Sequence, residues 1–273
     1  MVMATPSSTP SYPNALLATH VSVRYGHNTI LHDVTAGPFQ PGKMSALLGP
    51  NGSGKSTLMR AIAGLAPITG AACVTLGGTP LSGMPLAKRT QHCLYLPQAL
   101  PAPAQLPVLE ALIAARHTGA LPPSCLQEDD VEAAMNWLEK FEIAHLAMRN
   151  MSTLSGGQRQ LVGLAQALSR NPKALLLDEP LSALDLHHQY AVMALLRRET
   201  TQHQLVSVLV LHDLNIALNM TDHVAVVHEG HLKAAGPPTD VLTPALLRDV
   251  YKVNAHIEQG SDGKYFVSVD GIS

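Results

Sequence analysis

The patterned part of the chain begins at ALLATHVSVRY (15–25), where apolar and polar positions alternate loosely. A period of two marks a strand with one buried face. GHNTILHDVTAGPFQPGKMSALLG continues with short apolar runs separated by turn residues. It predicts a small antiparallel sheet leading into a core strand at MSALLG. The period then changes. In KSTLMRAIAGL, Leu58, Ile62 and Leu65 recur at helical spacing. GAACVTLGGTPL returns to β character, and HCLYLPQ is a short strand ending at Gln98. PVLEALIAARHTG and EDDVEAAMNWLEKFEIAHL read as helices separated by the Pro-rich ALPPS. They predict a helical insert over roughly 98–159.

The second half repeats the alternation. LSGGQRQLVGLAQAL sets Leu161, Leu164, Ala165 and Leu168 on one helical face, and Pro172 bars the helix from continuing. KALLLDEP is a buried strand ended by two acids, HHQYAVMALLRRETTQH a helix, LVSVLVLHD a strand and LNIALNMTD a helix. HVAVVHEGHLKAAG reads as two β runs around a Glu-Gly turn. A short helix and a weak strand pair, HIEQGSDGKYFVSVD, complete the chain. Strands alternating with helices predict an α/β fold whose mostly parallel sheet is covered on both faces. The expected organisation is a flexible tail over 1–14, one large domain over 15–250 and a C-terminal extension over 251–273.

Composition narrows the possibilities. A length of 273 residues with 46% hydrophobic content suits one large domain with a substantial core. A formal net charge of -2 disfavours generic nucleic-acid binding. Cys73, Cys93 and Cys125 have no metal spacing and suggest a reducing compartment. MVMATPSSTPSYPN lacks the basic run and apolar core of a signal peptide. No apolar stretch approaches the roughly 20 residues that span a bilayer. Work at a membrane therefore calls for another chain to do the spanning.

The candidate chemistry starts at GPNGSGKST, namely Gly49, Pro50, Asn51, Gly52, Ser53, Gly54, Lys55, Ser56 and Thr57. A glycine-rich loop between a strand and a helix can turn its N–H groups inward around a phosphate. Lys55 adds charge for the β and γ phosphates, and Ser56 offers a hydroxyl to magnesium. Asp178 ends the strand ALLL and is the expected magnesium carboxylate. Its neighbour Glu179 is the candidate to orient or deprotonate an attacking water. Gln98 could reach magnesium or that water, and His212 could donate to the γ-phosphate. Tyr25 could stack on a base. Taken singly, Gln98 and His212 also read as ordinary strand ends and Tyr25 as simple packing. Ser155, Gly156, Gly157 and Gln158 open a second helix, whose N-terminus suits an anion without a lysine. The pattern alone leaves this open against a plain helix-opening turn. Two copies meeting head to tail would let one copy's Lys55 and the other's Ser155–Gly157 clamp the same γ-phosphate.

In this order, the phosphate loop 49–57, Gln98, LSGGQ at 154–158, LLLDEP at 175–180, SALD at 182–185 and His212 resemble the nucleotide-binding subunits of ABC transporters. The resemblance spans roughly 15–250. It implies a P-loop NTPase core with an N-terminal antiparallel β subdomain and an inserted helical subdomain. It also implies ATP with magnesium as ligands and a homodimer in which Ser155 and the glycines act in trans. Under it Glu179 is the catalytic base, Tyr25 stacks on adenine and Asp185 lies at the dimer seam. The implied partners are transmembrane permease subunits, which dock near Gln98, and indirectly an extracytoplasmic solute-binding protein. The implied location is peripheral, on the cytoplasmic face of the inner membrane, with no nucleic-acid partner. VLHDLNIAL, SALDLHHQ and LTPALLRDVYKVNAHIE are similar to importer ATPases for ferric siderophores, haem or cobalamin. A zinc or manganese importer, an exporter and a non-transport protein of the family are the alternatives. Leu181 stands where the family usually has Thr, and Gln160 is followed by Leu161 where the family often has Arg; neither departure removes a phosphate ligand.

Overall fold

The computed structural model describes residues 14–100, 105–117 and 128–273. Asn14 apart, the expected tail lies outside these residues, as does ALPPS. Strand β1 (Leu16–Tyr25) pairs antiparallel with β2 (Asn28–Phe39). The core strand β3 (Met44–Leu48) is followed by the phosphate loop and α1 (Lys55–Ala63). Strands β4 (Ile68–Thr69), β5 (Cys73–Leu76) and β6 (Thr79–Pro80) complete the antiparallel sheet, ordered β2-β1-β5-β6 with β4 also on β1. Helix α2 (Leu86–His92) leads to β7 (Cys93–Leu96). Then come α3 (Val108–Arg116), α4 (Glu128–Lys140) and α5 (Gly156–Ser169), with two short turns between α4 and α5. The chain continues through β8 (Ala174–Leu177), α6 (Leu186–His203), β9 (Val206–Val210) and α7 (Leu214–Met220). Strands β10 (His223–His228) and β11 (His231–Gly236) follow, joined by a turn at Glu229 and Gly230. A π-type turn over Leu247–Tyr251 precedes the hairpin of β12 (Val253–Gln259) and β13 (Tyr265–Ile272).

The central sheet runs β11-β10-β3-β9-β8-β7, parallel throughout except for β11. Its inner strands are apolar along almost their whole length because both faces are covered. Alternate residues part to opposite sides. Leu175, Leu177, Leu209, Val224 and Val226 join the core that holds α3 to α7. Leu176, Val208, Val210, Ala225 and Val227 join the core under α1 and the antiparallel sheet. Both sheets and the helical insert expected from the sequence are therefore present.

Two local expectations are corrected, and one helix was not expected. Leu65 does not belong to the buried face of α1: Gly64, at φ 81°, ends the helix and Leu65 is 49% exposed. The helix expected over EDDVEAAMNWLEKFEIAHL stops at Lys140, since Glu142 turns left-handed (φ 60°) and Ile143 N–H returns to the Leu138 carbonyl. Helix α2 had no expectation at all. Its buried Arg89 donates to the Ala61 and Ile62 carbonyls at the end of α1, satisfying acceptors there, and to the Leu81 carbonyl after β6.

Candidate functional site

Four strand ends converge on one cleft. The loop after β3, the end of β7, the end of β8 and the end of β9 supply its polar groups, where ligands of open α/β sheets bind. The cleft has a volume of about 730 Å³ and is lined by Tyr25, Ile30, residues 51–57, Gln98, Glu179 and His212. Gly49 lies beneath it. At φ 141° a Cβ there would stand 2.0 Å from the Val227 carbonyl oxygen, so only glycine lets the loop cross β10. Lys55 Nζ donates to the carbonyls of Gly49 at 2.8 Å and Pro50 at 2.9 Å, which holds the loop wrapped around its own lysine. Burial pulls the Lys55 pKa below its ordinary value, while Glu179 and Asp178 oppose that shift.

Ser53 and Asp178 test whether phosphate and magnesium fit here. The Ser53 hydroxyl is buried with no hydrogen-bond partner, and an orphaned donor in a phosphate loop suits an anionic oxygen. Ser56 Oγ donates to Asp178 Oδ1 at 3.0 Å, so two hard oxygen ligands sit side by side. The residues fit both groups. Tyr95 adds a contact that sequence reasoning missed: its hydroxyl donates to Asp178 Oδ2 at 2.8 Å. Burial pushes the Tyr95 phenol up to about 12. Its place three residues before Gln98 on a strand beside the DE pair was the available signal.

Glu179 is bracketed. Gln98 Nε2 donates to Oε2 at 2.5 Å, and His212 Nε2 meets Oε1 at 2.7 Å. Its backbone is left-handed, at φ 49°, a region a glutamate enters at a cost of about 1 kcal/mol. Tyr25, 46% exposed, presents its ring at the cleft rim beside Ile30.

Ser155, Gly156, Gly157 and Gln158 do not line this cleft. They form a capping box: Ser155 Oγ accepts from Gln158 N–H at 3.2 Å, and Gln158 Oε1 accepts from Ser155 N–H at 3.0 Å. The two glycines differ. A Cβ on Gly157 would meet the Ala183 carbonyl oxygen at 2.9 Å, whereas one on Gly156 would meet nothing within 4 Å. Asp185 caps α6 through His188 N–H at 2.9 Å and meets His188 Nδ1 at 2.7 Å; these donors hold its carboxyl below the usual range.

Residues 32–182 match the ABC transporter family, more than half of the chain. This chain belongs to that family. Within the ABC transporter family it is 33% identical to a hemin import ATP-binding protein, HmuV of Vibrio parahaemolyticus, over 86% of this chain and 90% of the relative. It is 34% identical to an achromobactin transport ATP-binding protein, CbrD of Dickeya dadantii, over 89% of this chain and 90% of that protein. A solved inward-facing ABC transporter of metal-chelate type superposes with a TM-score of 0.78 at 25% identity, covering 95% of this chain and 98% of that one. The ABC fold expected from the sequence is thus present, and the chain is an ATP-binding subunit that hydrolyses ATP. Among its described residues no helix is long and apolar enough to cross a membrane.

Proposed function

We propose that this ATPase drives uptake of an iron chelate or haem through separate permease subunits, working as a homodimer on the cytoplasmic face of the membrane. The observation that carries the catalytic part is Glu179, held between Gln98 and His212 over the phosphate loop. The loop N–H groups, Ser53 and Lys55 hold the phosphates. Ser56 and Asp178, with Gln98 nearby, are the groups for magnesium, which when bound neutralises charge on the β and γ oxygens. Glu179 takes a proton from the attacking water as the γ-phosphoryl leaves ADP. Each of its oxygens carries one such contact in this arrangement, and an ionised carboxylate keeps further acceptor sites for that proton.

The capping-box helix supports the dimer. Its capped N-terminus lies outside the cleft, and Gly156 has open space where a side chain would fit. A second copy closing on the cleft gives both features a use, with Ser155–Gly157 reaching the γ-phosphate in trans. A solute-binding protein delivers the cargo on the far side. The cargo class rests on the relatives that import hemin and achromobactin.

The test is uptake into vesicles carrying the co-purified permease. ATP-dependent accumulation of haem or a ferric siderophore is expected. Uptake of free zinc and of no chelate overturns the cargo assignment. In the purified chain with ATP and magnesium, Glu179→Gln should bind ATP, barely hydrolyse it and accumulate as a dimer by size analysis; a persistent monomer overturns the clamp.

A further inference from the structure

The C-terminal hairpin β12–β13 is fastened to α7, the helix that begins just after His212 of the cleft lining. A two-stranded hairpin is marginal alone, so what holds it is informative. Two asparagines one turn apart on α7 do so. Tyr265 N–H donates to Asn219 Oδ1 at 3.0 Å, and Asn219 Nδ2 returns to the Tyr265 carbonyl at 2.6 Å. Val267 N–H donates to Asn215 Oδ1 at 2.8 Å. Residues 265 and 267 project their backbone groups to the same side of β13, so the asparagines stand in for a third strand. The Tyr265 and Val267 side chains pack against the large core beneath.

Helix α7 has only 7 residues, too few to hold its own shape without tertiary support. Its N-cap is Asp213, which accepts from Asn215 N–H at 2.7 Å and Ile216 N–H at 3.1 Å. The residue before that cap is His212, 2.7 Å from Glu179. Hairpin, helix, cap and histidine form one unbroken path.

We propose that Asn215 and Asn219 are positioning residues for His212, and that the C-terminal hairpin, docked on them, fixes the angle at which His212 meets Glu179 and then the γ-phosphate. The proposal rests on the role given to His212 above. It gives residues 251–273 a part in ATP turnover without any contact with nucleotide.

The two asparagines separate under the same substitution. Asn215 uses only its oxygen toward the hairpin, so Asn215→Asp keeps the contact. Asn219 also donates, to the Tyr265 and Asn215 carbonyls, so Asn219→Asp loses those bonds and sets a carboxylate against a carbonyl. In the purified full chain, Asn219→Asp should raise amide exchange at Tyr265 and Val267 by about tenfold, the loss of one to two hydrogen bonds. It should shift the His212 ring resonance and lower kcat several-fold, with ATP affinity unchanged. Asn215→Asp should match the parent in all four readouts. Unchanged exchange in Asn219→Asp overturns the docking. Raised exchange with unchanged kcat, in a protein that His212→Ala inactivates, overturns the positioning role and leaves the site assignment standing. Normal turnover by His212→Ala overturns the site assignment and the proposal together.

Discussion

At the scale of single residues, the cleft depends on groups that do two jobs. Lys55 ties the loop together through Gly49 and Pro50, and in the proposed function it also supplies the charge for phosphate. Lys55→Ala should therefore weaken ATP binding by roughly 10–100-fold, the worth of hydrogen bonds to a charged group; isothermal calorimetry checks it, and unchanged binding would displace the phosphate assignment. Glycine and lysine spacing made this loop legible in the sequence, because its chemistry is local. Tyr95 was not legible. It acts on Asp178 across a distance of 83 positions in the chain, and only the parallel pairing of β7 with β8 brings the two together. Gln98 and His212 were ambiguous for the same reason, since each gains its meaning from Glu179 on a different strand.

At the scale of elements, α5 separates structural glycine from glycine left free. Gly156→Ala fills open space in a helix and should raise the unfolding free energy by about 0.5–1 kcal/mol. The same change should impair ATP-driven dimerisation, so thermal unfolding and size analysis move in opposite directions. Gly157→Ala meets the Ala183 carbonyl and should cost about 1–3 kcal/mol. Gly163, deeper in the helix, makes room for Leu100, whose methyls would lie 3.2 and 3.3 Å from a Cβ there. The chain just after Gln98 thus rests directly on α5. Apolar periodicity disclosed nearly all the long elements, because each buries a continuous face. It overran α4 and missed α2. The first ends on a left-handed glutamate, and the second is anchored by one buried arginine rather than an apolar stripe.

At the scale of the whole molecule, the central sheet separates two cores, one holding α3 to α7 and one under α1 and the antiparallel sheet, and the C-terminal hairpin closes over α7. That hairpin carries its own titrating group. His256 meets Asp270 at 3.0 Å through Nδ1 and Glu258 at 2.8 Å through Nε2, and the two carboxylates raise its pKa above the ordinary 6.5. A raised value means the contact contributes fully below the ordinary pKa and is lost as pH rises through the raised one. Amide protection of β12 and β13 should fall over that interval, and Asp270→Asn should move the transition to lower pH in an NMR titration. The left-handed backbone of Glu179 has a consequence of another kind. Glycine occupies that conformation without steric penalty, and relief of that strain should let Glu179→Gly melt higher than the parent while turning over almost no ATP. A laboratory selection that rewards heat resistance alone would discard the reaction at this codon early, and only a screen that also counts released phosphate would retain it.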